Sequence, residues 1–503
     1  LEVNIVDPAC GSGSFLLRAF QEVCNAIEER LKKGEKAKTS TFQFYNDNRL
    51  NLSQKATILQ NCIYGVDLDE KAVELAQLNL LLKLLEEESK TAHKHLLPNL
   101  RENIKCGNSL IDDPKVAGDK AFNWHAQFPD VFRNGGFDVV VGNPPYGAEL
   151  TKQEQNYYKK FYDISSTDTA ILFLKKSIDN LKRDGVLGFI IPKAFTFASN
   201  YKKIRDYSWD NIKILIDASK VWKTVKLEQA ILVLDKSKRL DRYSSGIIEN
   251  NSIIQKDGMD KKLAEIFQFL PADLTKEEIK VGIKINKIGS FLSKYIKNKR
   301  GVILNKFIKG GKYPVIGGKE IDRYKVRNIR GYINESLINT NAETQKNSLF
   351  VQGIVSHIEN PSDHIKIIAM IPDSDIYFIA DNINQIIVQK DLSNSFIWAI
   401  LNSQLCNWYC YRFIYAKSIR TMRFDNPVTD RIPIPSKIEK KQEKHIVELV
   451  DQMLLLQKQL HEGKPSGNEK ERLEQQIKNT DYEIDQEVYK LYGLTKEEIK
   501  IVE

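Results

Sequence analysis

Paired cysteines, long apolar runs and a dinucleotide-type glycine signature are all missing from this chain. Its six cysteines (Cys10, Cys24, Cys62, Cys106, Cys406 and Cys410) are scattered, with no CxxC pair. That spacing suggests neither a zinc site nor a disulfide framework, so no metal is implied. No apolar run reaches the length of a bilayer span, and the first residues lack the pattern of a signal peptide. A membrane partner is therefore not expected, and a reducing cytoplasm is the expected compartment. The glycine turn near the N-terminus reads GSG followed by bulky Phe15. It is not GxGxxG, which argues against a pyrophosphate ligand. Acids are scarce in one long stretch: Lys280 to Arg330 holds 15 Lys or Arg against only Glu320 and Asp322. The local excess of +13 exceeds the +9 of the whole chain.

What is present is a strand that ends abruptly. Phe137-Asp138-Val139-Val140-Val141-Gly142 has the β-branched apolar character of a buried parallel strand, and Asn143-Pro144-Pro145-Tyr146 follows it. The prolines lack N–H groups and hold an extended backbone with carbonyls exposed. The Asn143 amide oxygen and the Pro144 carbonyl can then accept from one amino group, and Tyr146 offers a flat face beside them. A planar nitrogen heterocycle with an exocyclic amine, adenine above all, suits such a site.

Three further strand ends precede it. Val3 to Val6 runs into Asp7-Pro8-Ala9-Cys10-Gly11-Ser12-Gly13, and Leu16 to Leu31 has helical spacing. Glycines in such a turn let backbone approach a ligand, and Asp7 suits a cationic amine. Ile63 to Asp67 ends in acid before a helix from Glu70, where doubly wound folds hold ribose hydroxyls. Ile104 to Leu110 is another strand with a polar tip. Four such ends in this order make one crevice.

This set resembles the DNA amino-methyltransferases that use S-adenosylmethionine. Within them it is similar to the TaqI-like N6-adenine group, as found in the methyltransferase and specificity parts of single-chain (type IIG-like) restriction–modification enzymes. The resemblance implies a Rossmann-like α/β methyltransferase domain, an α+β target-recognition domain and a C-terminal helical hairpin. It places Asp7, Ala9, Gly11 and Gly13 at the methionine end of the cofactor. Asp67 takes the ribose hydroxyls, with Leu68 beside it among the cofactor contacts. Asn108, where the family often has Asp, and Leu110 flank the cofactor's adenine, and Asn143 borders the cofactor as well. Asn143 and Pro144 hold the target amine. Tyr146 and Trp222, the latter in a polar loop, clamp the flipped base. Cytosine-C5 chemistry, which needs a Cys nucleophile in a Pro-Cys loop, has no counterpart here.

Four regions are expected: a methyltransferase domain over 1–240, a linker with one helix over 241–285, a target-recognition domain over 286–435 and a helical segment over 436–503. Ile212 to Asp217 and Ala230 to Leu234 read as an antiparallel pair at the sheet edge. Ser166 to Arg183 reads as a helix that turns at Asp184-Gly185 into the strand Val186 to Ile191. Ile397 to Phe413 reads as one buried helix. The basic segment, laced with Gly and Tyr, reads as a surface for the DNA backbone. Lys309, Lys312, Lys319, Arg323, Arg420 and Arg423 are the candidate DNA contacts, double-stranded DNA is the expected partner, and a monomer is expected. Fusions of this type carry a nuclease ahead of the methyltransferase, but no PD…ExK motif stands in these residues. Leu1 lies almost on the first strand, where the family has a further cofactor-contacting segment, so upstream sequence is expected.

The competing readings are a methyltransferase of RNA or of protein glutamine, and a DNA-binding module without activity. N4-cytosine methylation is a minor variant. Methyl transfer to duplex DNA against RNA separates the first from the main reading, and calorimetry with S-adenosylmethionine separates the second.

Overall fold

The computed structural model describes residues 3–33, 49–86, 97–164, 168–219, 221, 227–304, 308, 310–334, 344–345, 347–373, 377–389, 392–420, 422–463 and 465–503. The chain divides into two compact units, Leu1–Lys261 and Lys262–Glu503.

The first unit is built on one nine-stranded sheet. Its strands are β1 (Ile5–Asp7), β2 (Ile63–Asp67), β3 (Ile104–Cys106), β4 (Phe137–Gly142), β5 (Leu181–Pro192), β6 (Ile212–Asp217), β7 (Gln229–Asp235), β8 (Arg242–Glu249) and β9 (Ser252–Asp260). They lie in the order β3-β2-β1-β4-β5-β7-β6-β8-β9. β3, β2, β1, β4 and β5 are mutually parallel, and β7 then runs antiparallel to β5 and β6. The strand order reverses between β1 and β4. In open α/β sheets that switch point is where ligands bind, beyond the carboxyl ends of the strands.

Helices α1 (Ser14–Lys32), α2 (Leu52–Cys62) and α3 (Glu70–Leu85) connect the first strands. Leu16 and Phe20 of α1, Ile58 and Leu59 of α2, and Ala76 and Leu80 of α3 are buried in one core with Ile5 and Ile63. Side chains punctuate the helices. Asn51 and Gln54 form a reciprocal capping box on α2, and Asp69 accepts the Lys71 N–H at the start of α3. α1 differs: it begins at Gly13, in the left-handed region at φ 89°, with no side-chain cap.

Several expectations meet a different arrangement here. The 241–285 linker is not one segment, because β8 and β9 add two strands to the sheet. The β6–β7 pair is therefore not its edge, and the first compact unit runs past residue 240. The helix read over 166–183 is α4 (Thr169–Asn180), and Asp184-Gly185 lies inside β5 rather than in a turn. Gly185 is needed there because a Cβ would lie 3.0 Å from the Phe137 carbonyl oxygen of β4.

A helix at Lys261–Phe267 spans the boundary between the units, and α5 (Lys276–Asn286) follows in the second. Short strands follow: β10 (Gly289–Phe291), β11 (Ile296–Arg300), β12 (Tyr313–Ile316), β13 (Gly331–Ile333), β14 (Ser348–Gln352), β15 (Ile354–Ile358), β16 (His364–Lys366), β17 (Ala369–Met370), β18 (Phe378–Ile379), β19 (Ile383–Val388), β20 (Met422–Arg423) and β21 (Pro433–Pro435). They form small sheets, β11-β19-β14-β17, β13-β12-β18, β16-β15-β20 and β10-β21. The single helix expected at 397–413 is broken. α6 (Asn394–Asn402) stops at Ser403, which caps α7 (Gln404–Tyr409), and a π-turn closes it over Cys410–Ile414. α8 (Lys440–Glu462) and α9 (Asn468–Leu491) form the C-terminal hairpin, and α10 (Lys496–Val502) starts from the Thr495/Glu498 capping box. The hairpin packs on α6 and shares one compact unit with the small sheets.

Candidate functional site

The glycine turn after β1 is fastened from three directions. Gly11 N–H donates to Asp67 Oδ2 at 2.8 Å, so the end of β2 holds the turn. Ser109 Oγ donates to the Pro8 carbonyl at 2.6 Å, so the segment after β3 holds it too. Asp7 Oδ1 accepts the Ala9 N–H at 3.0 Å from below. Asp7 is only 2% exposed. A Cβ at Gly142 would lie 2.7 Å from its Oδ1, so only glycine at the end of β4 admits this carboxylate. Burial raises the Asp7 acid to about 7, against the lowering effect of the Ala9 N–H, and the nearby Asp67 raises it further. At Gly11, φ 53°, an added Cβ would meet nothing within 4 Å. The turn therefore leaves open space beside the Gly11 Cα, and the uncapped N-terminus of α1 lies in the same turn.

Asp67 also accepts the Asp69 N–H through Oδ1 at 3.0 Å. Each of its oxygens holds one backbone amide and keeps a second lone pair for a further donor. Leu68 follows, 56% exposed, an apolar surface at the rim. Asn108 is half-buried. Its Oδ1 accepts the Leu110 N–H at 3.1 Å and its own N–H donates to the Lys120 carbonyl at 2.7 Å. Leu110 is buried, and its carbonyl accepts from the Tyr162 hydroxyl at 2.6 Å.

Across the switch point, Asn143 is exposed, Pro144 buried and Tyr146 half-buried. The Tyr146 hydroxyl donates to Asn143 Oδ1 at 2.6 Å and lies 3.1 Å from the Ile190 carbonyl of β5. Burial pushes this phenol well above its usual range, so it stays neutral. Thr169 Oγ1 donates to the Pro145 carbonyl at 2.6 Å, tying the loop to the first turn of α4. Trp222 lies outside the described residues.

The structure thus gathers Asp7, Ala9, Gly11, Gly13, Asp67 and Asn143 around the ends of neighbouring strands. It also supplies residues that the sequence reading passed over. Ser109 and Thr169 are ordinary hydroxyl residues whose roles depend on long-range partners. Lys193, after β5, is buried, with Nζ 2.7 Å from Asp217 Oδ2 and 3.6 Å from Glu228 Oε1. No local pattern marks a lysine for burial.

In the second unit the candidate cations behave differently from one another. Lys312 and Lys319 are exposed, Arg420 is half-buried, and Lys309 lies outside the described residues. Arg423 is exposed on β20. Arg323 departs from the expectation of a DNA contact. Its side chain is only 12% exposed, its guanidinium lies 2.7 Å from Asp481 of α9, and it stacks 4.7 Å from the Trp398 ring. Arg300, Arg327 and Arg330 likewise meet Asp381, Asp322 and Glu320. Asp381 and Asp481, distant in sequence, thus offset part of the basic excess within the unit, while Asp322 and Glu320 pair with cations of the basic segment itself.

Comparison with known proteins agrees with this division. A family model of the Eco57I restriction-modification methylase matches residues 61–222, and one of the TaqI-like C-terminal specificity domain matches residues 313–434. A model of an RMKL-like methyltransferase domain matches residues 2–104. The chain thus carries, in order, a segment similar to the Eco57I methylase and a segment similar to the TaqI-like specificity domain. It is homologous to RM.Eco57I, a type II restriction enzyme and methyltransferase of Escherichia coli, at 31% identity over 344 residues. That match covers 60% of this chain and 34% of RM.Eco57I, so the chain spans about a third of that relative. The adenine-specific methyltransferase PglX of Streptomyces coelicolor is 25% identical over 224 residues, covering 39% of this chain and 17% of PglX. In fold, the chain is similar to the type IIL restriction-modification enzyme MmeI, solved in complex with DNA. The TM-score is 0.60 at 13% identity, covering 99% of this chain and 71% of MmeI. Among the described residues no helix is long and apolar enough to cross a membrane.

Proposed function

We propose that this chain is the methyltransferase and target-reading part of a restriction–modification enzyme. It would transfer a methyl group from S-adenosylmethionine to the 6-amino group of an adenine flipped out of duplex DNA. One observation carries the reading: Asn143-Pro144-Pro145-Tyr146 ends β4 directly across the switch point from the glycine turn of β1, with Asp7 packed against Gly142.

The residues fit the cofactor. Gly11 leaves open space, Asp67 keeps a lone pair on each oxygen for two ribose hydroxyls, and Leu68 offers apolar surface for the adenine. An ammonium above the turn would favour the ionised form of Asp7. When bound, S-adenosylmethionine supplies an electrophilic methyl group.

The adenine amine is a weak nucleophile because its lone pair is delocalised into the ring. Asn143 Oδ1 and the Pro144 carbonyl would accept its two hydrogens and favour a pyramidal nitrogen, with the lone pair freed for in-line attack. No side chain need remove a proton before attack: the methyl–sulfur bond would break as the nitrogen–methyl bond forms, leaving a neutral thioether, and the ammonium would then lose one proton to solvent. Acceleration would come from positioning and from acceptors aimed at the emerging ammonium. Flipping costs a few kcal/mol. Stacking on Tyr146 returns roughly 1–3 kcal/mol.

The test supplies tritiated S-adenosylmethionine with duplex DNA, RNA or protein, then sequences the modified bases. N6-methyladenine at a defined duplex site is the expected result. Label on RNA or protein alone, or on no acceptor, overturns the reading.

A further inference from the structure

The β16-β15-β20 sheet of the second unit has two unlike faces. Residues directly opposite one another in an antiparallel pair point the same way, and successive residues alternate. The register pairs Val355 with Met422 and His357 with Ile365 on one face. Val355, Met422 and Ile365 are buried there. The other face carries Ile354 opposite Arg423, Ser356 opposite Lys366, and Ile358 opposite His364. Arg423, Ser356 and Lys366 are exposed, and so is Ile354, at 58%.

This face sets an exposed isoleucine beside an arginine, a serine and a lysine, so one surface offers an apolar contact together with donors. No acid occupies a paired position on this face. The connecting turn carries two acids: Glu359 is exposed just after Ile358, and Asp363 lies with Oδ1 3.1 Å from Nε2 of His357, whose side chain belongs to the opposite face. The support beneath is firm. The Tyr415 hydroxyl donates to the Arg423 carbonyl at 2.9 Å, the Phe424 N–H donates to the Gly353 carbonyl at 3.1 Å, and Asn384 Nδ2 donates to the Phe424 carbonyl.

The width is informative as well. β20 pairs only with Ile354 and Val355, and β16 only with Ser356 to Ile358. At each level along β15 the ribbon is therefore two strands wide, about 5 Å between strand axes. The major groove of B-DNA, about 12 Å wide, admits a two-stranded ribbon of this kind.

The geometry points to this face as the base-reading surface of the chain. Arg423 is placed to donate to a guanine edge, Ile354 to meet a thymine methyl, Ser356 to bond either kind of base edge, and Lys366 to contact a phosphate. The inference rests on the reading of the chain as an enzyme of duplex DNA. It names which of the second unit's surfaces enters the groove.

The test is selection of bound duplexes from a randomised library by the 503-residue chain, followed by sequencing of the bound fraction, in parallel with the methylation assay. The wild type should enrich one sequence. Arg423→Ala, and separately the pair Ile354→Ala with Ser356→Ala, should relax choice at one or two positions. They should lose on the order of 10- to 100-fold affinity for the selected site but little for random duplex. Lys366→Ala should keep the sequence choice and flatten the slope of log affinity against log salt by about 0.9. All these side chains are exposed, so melting temperatures should match the wild type and exclude misfolding. Variants that keep the wild-type sequence choice overturn the inference, as does a wild type that enriches no sequence. Selective binding without methyl transfer instead overturns only the proposed activity.

Discussion

The Tyr146 hydroxyl donates to Asn143 Oδ1 at 2.6 Å. The same oxygen is the acceptor proposed for the target amine, so the arriving base competes with the tyrosine for it. The Ile190 carbonyl, 3.1 Å from the same hydroxyl, offers the phenol another acceptor. Tyr146 can thus give up Asn143 without losing its only partner. The aromatic ring and the amide are set as a pair before any base enters.

The first prediction separates the two parts of the tyrosine. Tyr146→Phe keeps the ring and frees Asn143, so base flipping should persist and transfer should stay within about tenfold of wild type. Tyr146→Ala removes stacking worth roughly 1–3 kcal/mol and should lose both. Fluorescence of 2-aminopurine at the target reads flipping, and single-turnover methylation reads transfer. Equal loss in both variants would assign the effect to the hydroxyl.

Asn143→Ala should abolish methyl transfer while leaving DNA affinity within a few-fold, because it removes one of only two acceptors for the amine. Single-turnover kinetics with a duplex-binding titration checks both halves. Wild-type turnover in the variant would remove Asn143 from the chemistry.

Asp67→Ala should weaken S-adenosylmethionine binding by about 1–3 kcal/mol, from lost hydrogen bonds to the ribose and from release of the Gly11 amide. Calorimetry measures it. Unchanged affinity would reduce Asp67 to a residue that fastens the glycine turn.

Much of the site was legible because strand ends carry their own punctuation. Two prolines after a β-branched run mark the end of β4, and glycines beside Asp7 mark the end of β1. What stayed hidden depends on partners far along the chain. Asp184-Gly185 reads as a turn, yet the glycine is there so that β5 can press against the Phe137 carbonyl. β9 is largely exposed from Ser252 to Gly258, so its residues lack the apolar alternation that reveals a strand. Arg323 looks like one more cation in a basic run. Its ion-pair partner, Asp481, lies 158 residues away. A charge run can be counted in the sequence, but which of its members are neutralised is decided only by folding.

Asp485 gives a pH prediction. Burial raises its acid to about 7, helped by Asp481 and opposed by the Gln404 N–H and Arg323. The folded chain then holds this proton more tightly than the unfolded chain, whose pKa is near 3.8. Stability from this group is fully present below about pH 4 and falls as pH rises toward 7. Asp485→Asn keeps an oxygen for the Gln404 N–H without the buried charge. It should raise stability at pH 8 by on the order of 2–4 kcal/mol and leave it unchanged at pH 4. Thermal melts across pH 4–8 check this, and a variant with the wild-type pH slope would contradict it.

The last prediction divides the cations of the second unit. Lys312 and Lys319 are exposed, whereas Arg323 is held by Asp481 and stacked on Trp398. Exposed cations on phosphate release counterions, each worth about 0.9 in the slope of log affinity against log salt. Lys312→Ala with Lys319→Ala should therefore flatten the slope by up to about 1.8, on cognate and random duplex alike. Arg323→Ala should leave the slope unchanged and lower the melting temperature, because it strands Asp481 and uncovers the Trp398 ring. The stability loss should be on the order of 1–2 kcal/mol, because Asp481 is 39% exposed and the ion pair is screened, which leaves the contact with the Trp398 ring as the larger share. If Arg323→Ala flattens the slope in a chain that melts like wild type, its pairing with Asp481 gives way to phosphate in the complex.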